Sequence, residues 1–127
     1  MSCADTCISM EPDGSAEFYS EATRKARKPY RCCECRRDIA IGDLYVSASG
    51  KWEGDFFTER TCVECDEIRS ALCCGWVFGQ LWESIRDQVF PYWNEMTAID
   101  CLAKLKTDAA IAKMRAEYAR YREGFDF

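Results

Sequence analysis

Two short cysteine motifs, Arg31-Cys-Cys-Glu-Cys-Arg36 and Thr61-Cys-Val-Glu-Cys-Asp66, decide how this chain folds. Each motif contains a pair of cysteines separated by two residues, the spacing with which a tight turn presents two sulfurs to one metal ion. Between the motifs, strand-forming residues flank turn residues, which predicts a β-hairpin. Helical periodicity begins after Thr61, so the second cysteine pair should lie in the first turn of a helix.

These features predict a structural zinc site with Cys32, Cys35, Cys62 and Cys65 as ligands. A knuckle, a hairpin and a helix that carries ligands in its first turn form the treble-clef arrangement, and the positive end of the helix dipole stabilises thiolates. Buried free cysteines and an iron–sulfur cluster, which also uses four cysteines, are the alternatives. A thioredoxin-like redox site would need one cysteine pair after a strand in a βαβ unit, and that pattern is missing.

The composition narrows the class of protein. The chain has 127 residues, 48% of them hydrophobic, which suffices for one domain with its own core. It has ten cysteines and no histidine, so catalysis by a Ser-His or Cys-His pair is excluded. No acid pair stands out as catalytic, and we expect neither an enzyme nor a small-molecule substrate. Without a secretory signal pattern or an apolar run of membrane-spanning length, we expect a cytoplasmic protein with reduced thiols and no membrane contact.

The hairpin and the helices can be placed approximately. Strands are expected over 44–48 and 56–61, with turn signals at Ser49-Gly50 and at Glu53-Gly54-Asp55. Apolar residues recurring at helical spacing predict a helix over 78–89.

A short helix is expected to start at Thr97, and Thr107 is expected to cap a last one. The expected fold class is therefore α+β: a treble-clef-like zinc knuckle, β-hairpin and helix, followed by a helical C-terminal region of two or three helices. We expect residues 1–74 to form the zinc-binding region with an N-terminal arm, and residues 75–127 to form a helical tail that packs on it within a single compact domain.

Further cysteines raise the question of a second metal ion. Cys3 and Cys7 would supply half of a second site, and Cys33 with either Cys73 or Cys74 would close it; our candidate set is Cys3, Cys7, Cys33 and Cys74. The alternative is that some of these are ordinary small buried residues. Cys101 lies on the apolar side of a predicted helix and is expected in the core.

Residues 24–37, the basic stretch, concentrate positive charge in a chain of formal charge −5. Its cations are Arg24, Lys25, Arg27, Lys28, Arg31, Arg36 and Arg37. They could contact nucleic-acid phosphates, compensate the net negative charge of a four-thiolate zinc centre, meet an acidic protein surface, or form a solvated face. So acidic a chain does not fit a general nucleic-acid coat.

Four segments carry a resemblance to a known group: Lys28-Pro-Tyr-Arg-Cys-Cys-Glu-Cys35, Ile41-Gly-Asp43, Ser49-Gly-Lys-Trp-Glu-Gly-Asp-Phe56 and Thr61-Cys-Val-Glu-Cys65. They resemble small uncharacterised cysteine-rich proteins of tailed bacteriophages and prophages, which also tend to carry an N-terminal cysteine pair and a helical tail. The resemblance covers most of residues 1–90 and fades beyond. It implies a phage or prophage origin and a bacterial host cytoplasm. Other treble clefs include nucleases that need histidine, so that activity does not carry over.

Together these observations lead us to expect a non-enzymatic zinc-binding accessory protein that acts by protein–protein contact. In a phage setting, the partner would be a host factor, a defence system such as CRISPR, or a phage regulator. The alternative is a nucleic-acid-binding zinc finger or transcriptional regulator that uses the basic stretch.

Overall fold

The computed structural model describes residues 18–52, 54–73 and 78–124 of the chain. In chain order, these described residues form β1 (Phe18–Lys25), β2 (Tyr30–Arg31), β3 (Asp38–Ile39), β4 (Leu44–Trp52), β5 (Asp55–Cys62), α1 (Val63–Leu72), α2 (Leu81–Gln88), a 3-10 turn (Phe90–Tyr92), α3 (Glu95–Ala103) and α4 (Asp108–Arg122). The α+β class is confirmed, with a hairpin leading into the helix that begins within the second cysteine motif, and with further helices after it.

The hairpin of β4 and β5 is longer than expected, and β1 extends it to an antiparallel sheet of order β1-β4-β5. The turn predicted at Ser49-Gly50 is wrong, because both residues lie within β4 and Gly50 pairs with Tyr19 on one side and Phe57 on the other. Hydrogen bonds to strands on both sides outweigh the weak strand preference of a Ser-Gly pair. The chain reverses at Gly54, within the other predicted turn, and its φ of 86° there suits a residue without a side chain.

Strand β1 was not predicted, because its sequence FYSEATRK has no apolar alternation. It forms as an edge strand on β4, from the pair of Phe18 with Lys51 to the pair of Lys25 with Leu44. A second, two-stranded ribbon of β2 and β3 pairs Tyr30 with Ile39 and carries the first cysteine motif at its tip.

The core lies between the sheet and the helices. Helix α1 buries Ile68 and Leu72, α2 buries Leu81 and Ile85, and α4 contributes Met114, all at 2% exposure or less. These residues recur at helical spacing, so each helix presents one apolar stripe to the centre.

The helix caps are partly as expected. The Thr107 side chain accepts a hydrogen bond from the backbone N–H of Ala110 and caps α4 as predicted. Helix α3 begins earlier than predicted, at Glu95, because the Asn94 side chain accepts the N–H of Thr97 at 2.9 Å and acts as the cap.

Candidate metal centre

The two cysteine motifs meet in space. The Sγ atoms of Cys32, Cys35, Cys62 and Cys65 all lie within 4.8 Å of one another. Cys32, Cys62 and Cys65 are completely buried, and Cys35 is partly exposed. The Sγ atoms of Cys35 and Cys62 are 3.9 Å apart, close to the separation of about 3.8 Å that two sulfurs have when both lie about 2.3 Å from one tetrahedral ion. The four cysteines therefore form a cluster that could hold a single metal ion.

The backbone builds the first half of the cluster as a tight knuckle. The N–H of Cys32 donates to the carbonyl of Arg37 at 2.9 Å, and the N–H of Arg36 donates back to the carbonyl of Cys32 at 3.0 Å. Arg36 has a φ of 65°, a left-handed conformation that lets the chain turn back into β3. The N–H of Cys33 donates to the carbonyl of Arg60 at 2.8 Å, which fixes the knuckle to β5.

The second half of the cluster lies where β5 passes into α1. Cys62 is the N-cap residue and Cys65 lies in the first turn, where the helix dipole favours thiolates. N–H groups point at the sulfurs: those of Glu34 and Cys62 donate to Sγ of Cys32 at 3.4 and 3.3 Å, and Nε1 of Trp82 donates to Sγ of Cys65 at 3.4 Å. Such donors orient metal-bound thiolates and spread their negative charge.

Two cations flank the sulfurs. Burial alone would lower the pKa of Arg37, but the neighbouring Cys62 and Glu64 raise it. The same holds for Lys113 of α4, where the pKa is raised by Cys65 and Cys35 against the effect of burial. These two residues therefore offset the negative charge of the cluster. For Arg37, charge compensation of the zinc centre is one of the roles predicted for the basic stretch. Lys113 was missed, because it is distant in sequence and only the packing of α4 on α1 brings it near.

The thiols of the cluster influence one another strongly. Hydrogen bonding with Cys32 lowers the pKa of Cys35 and raises the pKa values of Cys62 and Cys65. Four neighbouring sulfurs cannot all carry charge without a cation between them. Two cysteines outside the cluster behave differently, because burial raises the pKa of Cys33 to about 12 and that of Cys73 to about 11, so that both are neutral thiols at pH 7.

The second metal site stays a prediction, because Cys3, Cys7 and Cys74 lie outside the described residues. Cys33 is in contact with the Thr61 hydroxyl, its Sγ lying 3.4 Å from Oγ1. Cys101 is completely buried, as expected for a core residue. It is disulfide-bonded, however, so the expectation of reduced thiols is wrong for this cysteine.

A buried ion pair beside the cluster was also missed. Glu34, which lies between the ligand candidates of the first motif, pairs with Arg69 of α1 at 2.9 Å. The sequence contains a signal for this ion pair. Arg69 lies four residues after Cys65 and three before Leu72, the spacing that places residues on one face of a helix. It therefore falls on the buried stripe of α1, where an arginine needs a partner.

The structure separates the cations of the basic stretch. Arg37 belongs to the metal centre and forms two hydrogen bonds to Glu64. Arg31 pairs with Asp38 at 3.5 Å on the surface, and Arg36 is exposed in the knuckle. The ammonium of Lys28 lies 5.6 Å from the centre of the Tyr30 ring.

The remaining cations of the stretch, Arg24, Lys25 and Arg27, lie together. They line a groove of about 810 Å³ whose other walls include Tyr30 and Tyr45. We call this set of five residues the basic groove. It is distinct from the metal centre, because none of the cluster cysteines lines it.

Comparisons with known proteins add no relative. No protein-family model, no curated protein and no solved structure matches this chain. Among the helices of the described residues, none combines the length and apolar character required to cross a bilayer. What the metal centre can do is therefore argued from its own geometry.

Proposed function

We propose that this chain is a non-enzymatic zinc protein in which Zn²⁺ bound by Cys32, Cys35, Cys62 and Cys65 holds together surfaces that contact another protein. The observation that carries the proposal is the closed cluster: four sulfurs complete a tetrahedral sphere, and a site of that kind keeps no open position for substrate or water. The ion would contribute folding energy rather than chemistry.

Zinc fits the donor set better than the alternatives. Four thiolates in a buried tetrahedron are the donors of structural zinc sites. A cluster of several irons would hold its cysteines farther apart than the 3.9 Å between the Sγ atoms of Cys35 and Cys62. Metal analysis of protein purified from cells tests this assignment, and zinc is expected at one ion per chain or more.

The contact role is supported by apolar side chains that the fold leaves on the surface. Met96 is 77% exposed, Ile99 63% and Tyr92 56%, all in or just before α3. Large apolar and aromatic side chains of this kind dominate the energetics of protein interfaces. The exposed apolar surface of α3 is therefore a candidate contact surface for a protein partner.

A capture experiment tests the contact role directly. The full zinc-loaded chain is immobilised and exposed to host lysate, beside the double variant Met96→Ser, Ile99→Ser and the exposed-charge control Arg122→Ser. We expect a specific protein to be enriched by the wild-type chain and by the control. If nucleic acid binds tightly while no protein is enriched over an empty matrix, the contact role is wrong.

The proposal also names a cellular setting and a class of target. The phage-like motifs support a bacterial host cytoplasm, with a host factor or a defence system such as CRISPR as the target. The test is a plating assay: phage targeted by a CRISPR system is plated on cells that express the chain or its Cys65→Ser variant. Restored plaques with the wild-type chain alone are the expected result, and unchanged plating in every defence background tested would remove the anti-defence role.

Nucleic-acid binding through the basic stretch 24–37 is the second candidate function. It is favoured by the exposure of Arg24, Lys25, Arg27 and Lys28. Mobility-shift assays with single-stranded and duplex DNA at two salt concentrations test it, because phosphate contacts give an affinity that falls steeply with salt. The absence of any shift at low salt would exclude it.

A further inference from the structure

The basic groove has features that point to a particular kind of ligand. We infer that it is the docking site for an acidic segment of a protein partner, with apolar residues among its carboxylates. This inference rests on the proposed contact role and adds to the α3 surface a second surface, for which it names a partner chemistry. The groove is lined by Arg24, Lys25 and Arg27, with Tyr30 and Tyr45 as aromatic walls.

No ion pair within the part of the chain that the structure describes compensates the charge of the groove. Arg24, Lys25 and Arg27 are exposed, and within residues 18–52, 54–73 and 78–124 none of them forms an ion pair. Asp43 is the nearby acidic residue, but its Oδ2 accepts a hydrogen bond from the N–H of Ala40 at 3.0 Å and stabilises the turn between β3 and β4. Three like charges around one concave surface repel one another, and a carboxylate-bearing ligand would relieve that repulsion.

The walls of the groove are fixed by hydrogen bonds. The N–H of Ala26 donates to the carbonyl of Asp43 at 2.8 Å, and the N–H of Gly42 donates to the carbonyl of Ala26 at 2.9 Å. The rings of Tyr30 and Tyr45 lie 5.4 Å apart, centre to centre. A surface held in this way needs little ordering when a ligand arrives, which favours affinity.

The aromatic side chains argue against nucleic acid as the occupant. Arg60 lies 4.1 Å and Lys28 5.6 Å from the centre of the Tyr30 ring, and Tyr45 is only 6% exposed. Proteins that bind single strands stack bases on open aromatic faces, and neither tyrosine offers one. A longer polyanion would also extend beyond the groove over a chain whose formal charge is −5.

Apolar side chains at the rim favour a peptide. Ile41 lines the groove and is 67% exposed. Leu44 is 56% exposed and pairs with Lys25 across β1 and β4. A partner segment that alternates carboxylates with apolar residues would satisfy the cations and cover these two side chains in one docking event.

The test uses the full zinc-loaded chain and a fluorescein-labelled octapeptide of glutamates and leucines, followed by fluorescence anisotropy at low and high salt. The probes for comparison are a lysine–leucine octapeptide and labelled single-stranded and duplex DNA. The variants are Arg24→Glu, Arg27→Glu and their combination. Arg31→Glu is the matched control, because it makes the same charge change in the same stretch outside the groove. Zinc content and circular dichroism verify that each variant is folded.

We expect the acidic peptide to bind, more weakly as salt rises, and the double groove variant to lose about tenfold or more in affinity while Arg31→Glu stays near the wild-type value. Failure of the acidic peptide to bind, or binding that Arg24→Glu and Arg27→Glu leave unchanged, would overturn the inference. Tighter binding of DNA that is lost in the same variants would assign the groove to nucleic acid instead.

The inference and the contact role fail in different ways. If the double groove variant still captures the protein partner that the wild-type chain enriches from lysate, the groove is not the docking site although the contact role stands. If the wild-type chain enriches no protein at all, the contact role itself is lost.

Discussion

The carboxylate of Glu34 and the guanidinium of Arg69 lie 2.9 Å apart, with both side chains completely buried. Glu34 belongs to the first cysteine motif and Arg69 to α1. The other carboxylate oxygen of Glu34 accepts the N–H groups of Gly79 at 3.0 Å and Leu81 at 3.1 Å, where α2 begins. One carboxylate thus joins the metal knuckle to the helix that bears the second cysteine pair and to the helical region behind it.

Substitution of Glu34 should therefore be costly. Glu34→Gln keeps the shape and one acceptor but removes the buried carboxylate charge that faces Arg69, which also pairs with Asp66 at 3.2 Å. We expect a loss of about 3 kcal/mol in the free energy of unfolding, because removing one partner of a buried ion pair is expensive. Urea denaturation of the zinc-loaded protein measures it. The control is Asp38→Asn in the exposed pair with Arg31, which should leave the midpoint unchanged; equal effects of both substitutions would show that the buried pair has no special weight.

The N–H of Trp82 is expected to tune the metal centre. Trp82→Phe keeps a buried aromatic ring but removes the hydrogen bond from Nε1 to Sγ of Cys65. Because partners of metal ligands strengthen binding, we expect zinc affinity to fall by about tenfold, measured by competition with a chromophoric chelator. Trp93→Phe is the matched control, since Trp93 packs on Phe90 rather than on sulfur. An unchanged affinity for Trp82→Phe would mean that this contact does not stabilise the thiolate.

Glu67 ties α1 to the start of α4. Its carboxylate accepts the backbone N–H groups of Lys106 and Thr107 at 2.7 and 3.2 Å and the Thr107 hydroxyl at 2.9 Å. Desolvation raises the pKa of Glu67, but these hydrogen bonds and the charge of Lys106 outweigh it and lower the pKa. Because the pKa of Glu67 is lower in the folded than in the unfolded state, the ionised carboxylate stabilises the fold at pH values above the unfolded pKa of about 4.3. This stabilisation is lost as pH falls through the folded pKa.

Glu67→Gln should therefore lower the free energy of unfolding by about 1 kcal/mol at pH 7. The difference in the free energy of unfolding between Glu67→Gln and the wild-type protein should shrink as pH drops below about 4. The glutamate then becomes protonated and is uncharged, as glutamine is. Denaturant titrations across this pH range check the trend, with Glu123→Gln at the far end of α4 as the control. A difference that grows toward acid pH would contradict the sign of the shift.

The cluster cysteines and the neighbouring free cysteines should respond differently to serine. Cys65→Ser should lose the metal and unfold the N-terminal half of the chain, because metal-binding energy is folding energy in such sites. Cys73→Ser, which changes a cysteine outside the cluster, should retain both metal and fold. Cys65→His, which supplies another zinc ligand, should recover part of the metal. Metal content and far-ultraviolet circular dichroism follow all three variants, and a metal-loaded, native-like Cys65→Ser protein would refute a structural role.

Much of the knuckle, hairpin and first helix could be predicted from sequence, because the spacing within each cysteine pair is a local constraint with few solutions. The sequence predicts Leu44 and Thr61 as strand residues and a turn at Gly54, and the structure confirms all three, whereas Ser49-Gly50 continues β4 instead of turning. The end of α1 at Leu72 also agrees with the apolar periodicity.

Features that depend on long-range contacts could not be predicted. Strand β1 forms only because β4 offers it a hydrogen-bonding edge, and its own residues have no strand pattern. Lys113 reaches the metal centre through the packing of α4 on α1. The basic stretch looked continuous in sequence, but folding assigns Arg37 to the cysteine cluster and Arg24 to a separate groove.

X-ray absorption at the zinc edge of the purified full chain shows whether Cys32, Cys35, Cys62 and Cys65 hold zinc. We predict one zinc in an all-sulfur shell of four ligands at about 2.3 Å, with that signal lost in Cys65→Ser and kept in Cys73→Ser. A shell with oxygen or nitrogen ligands, iron in place of zinc, or a folded protein without any bound metal would contradict it.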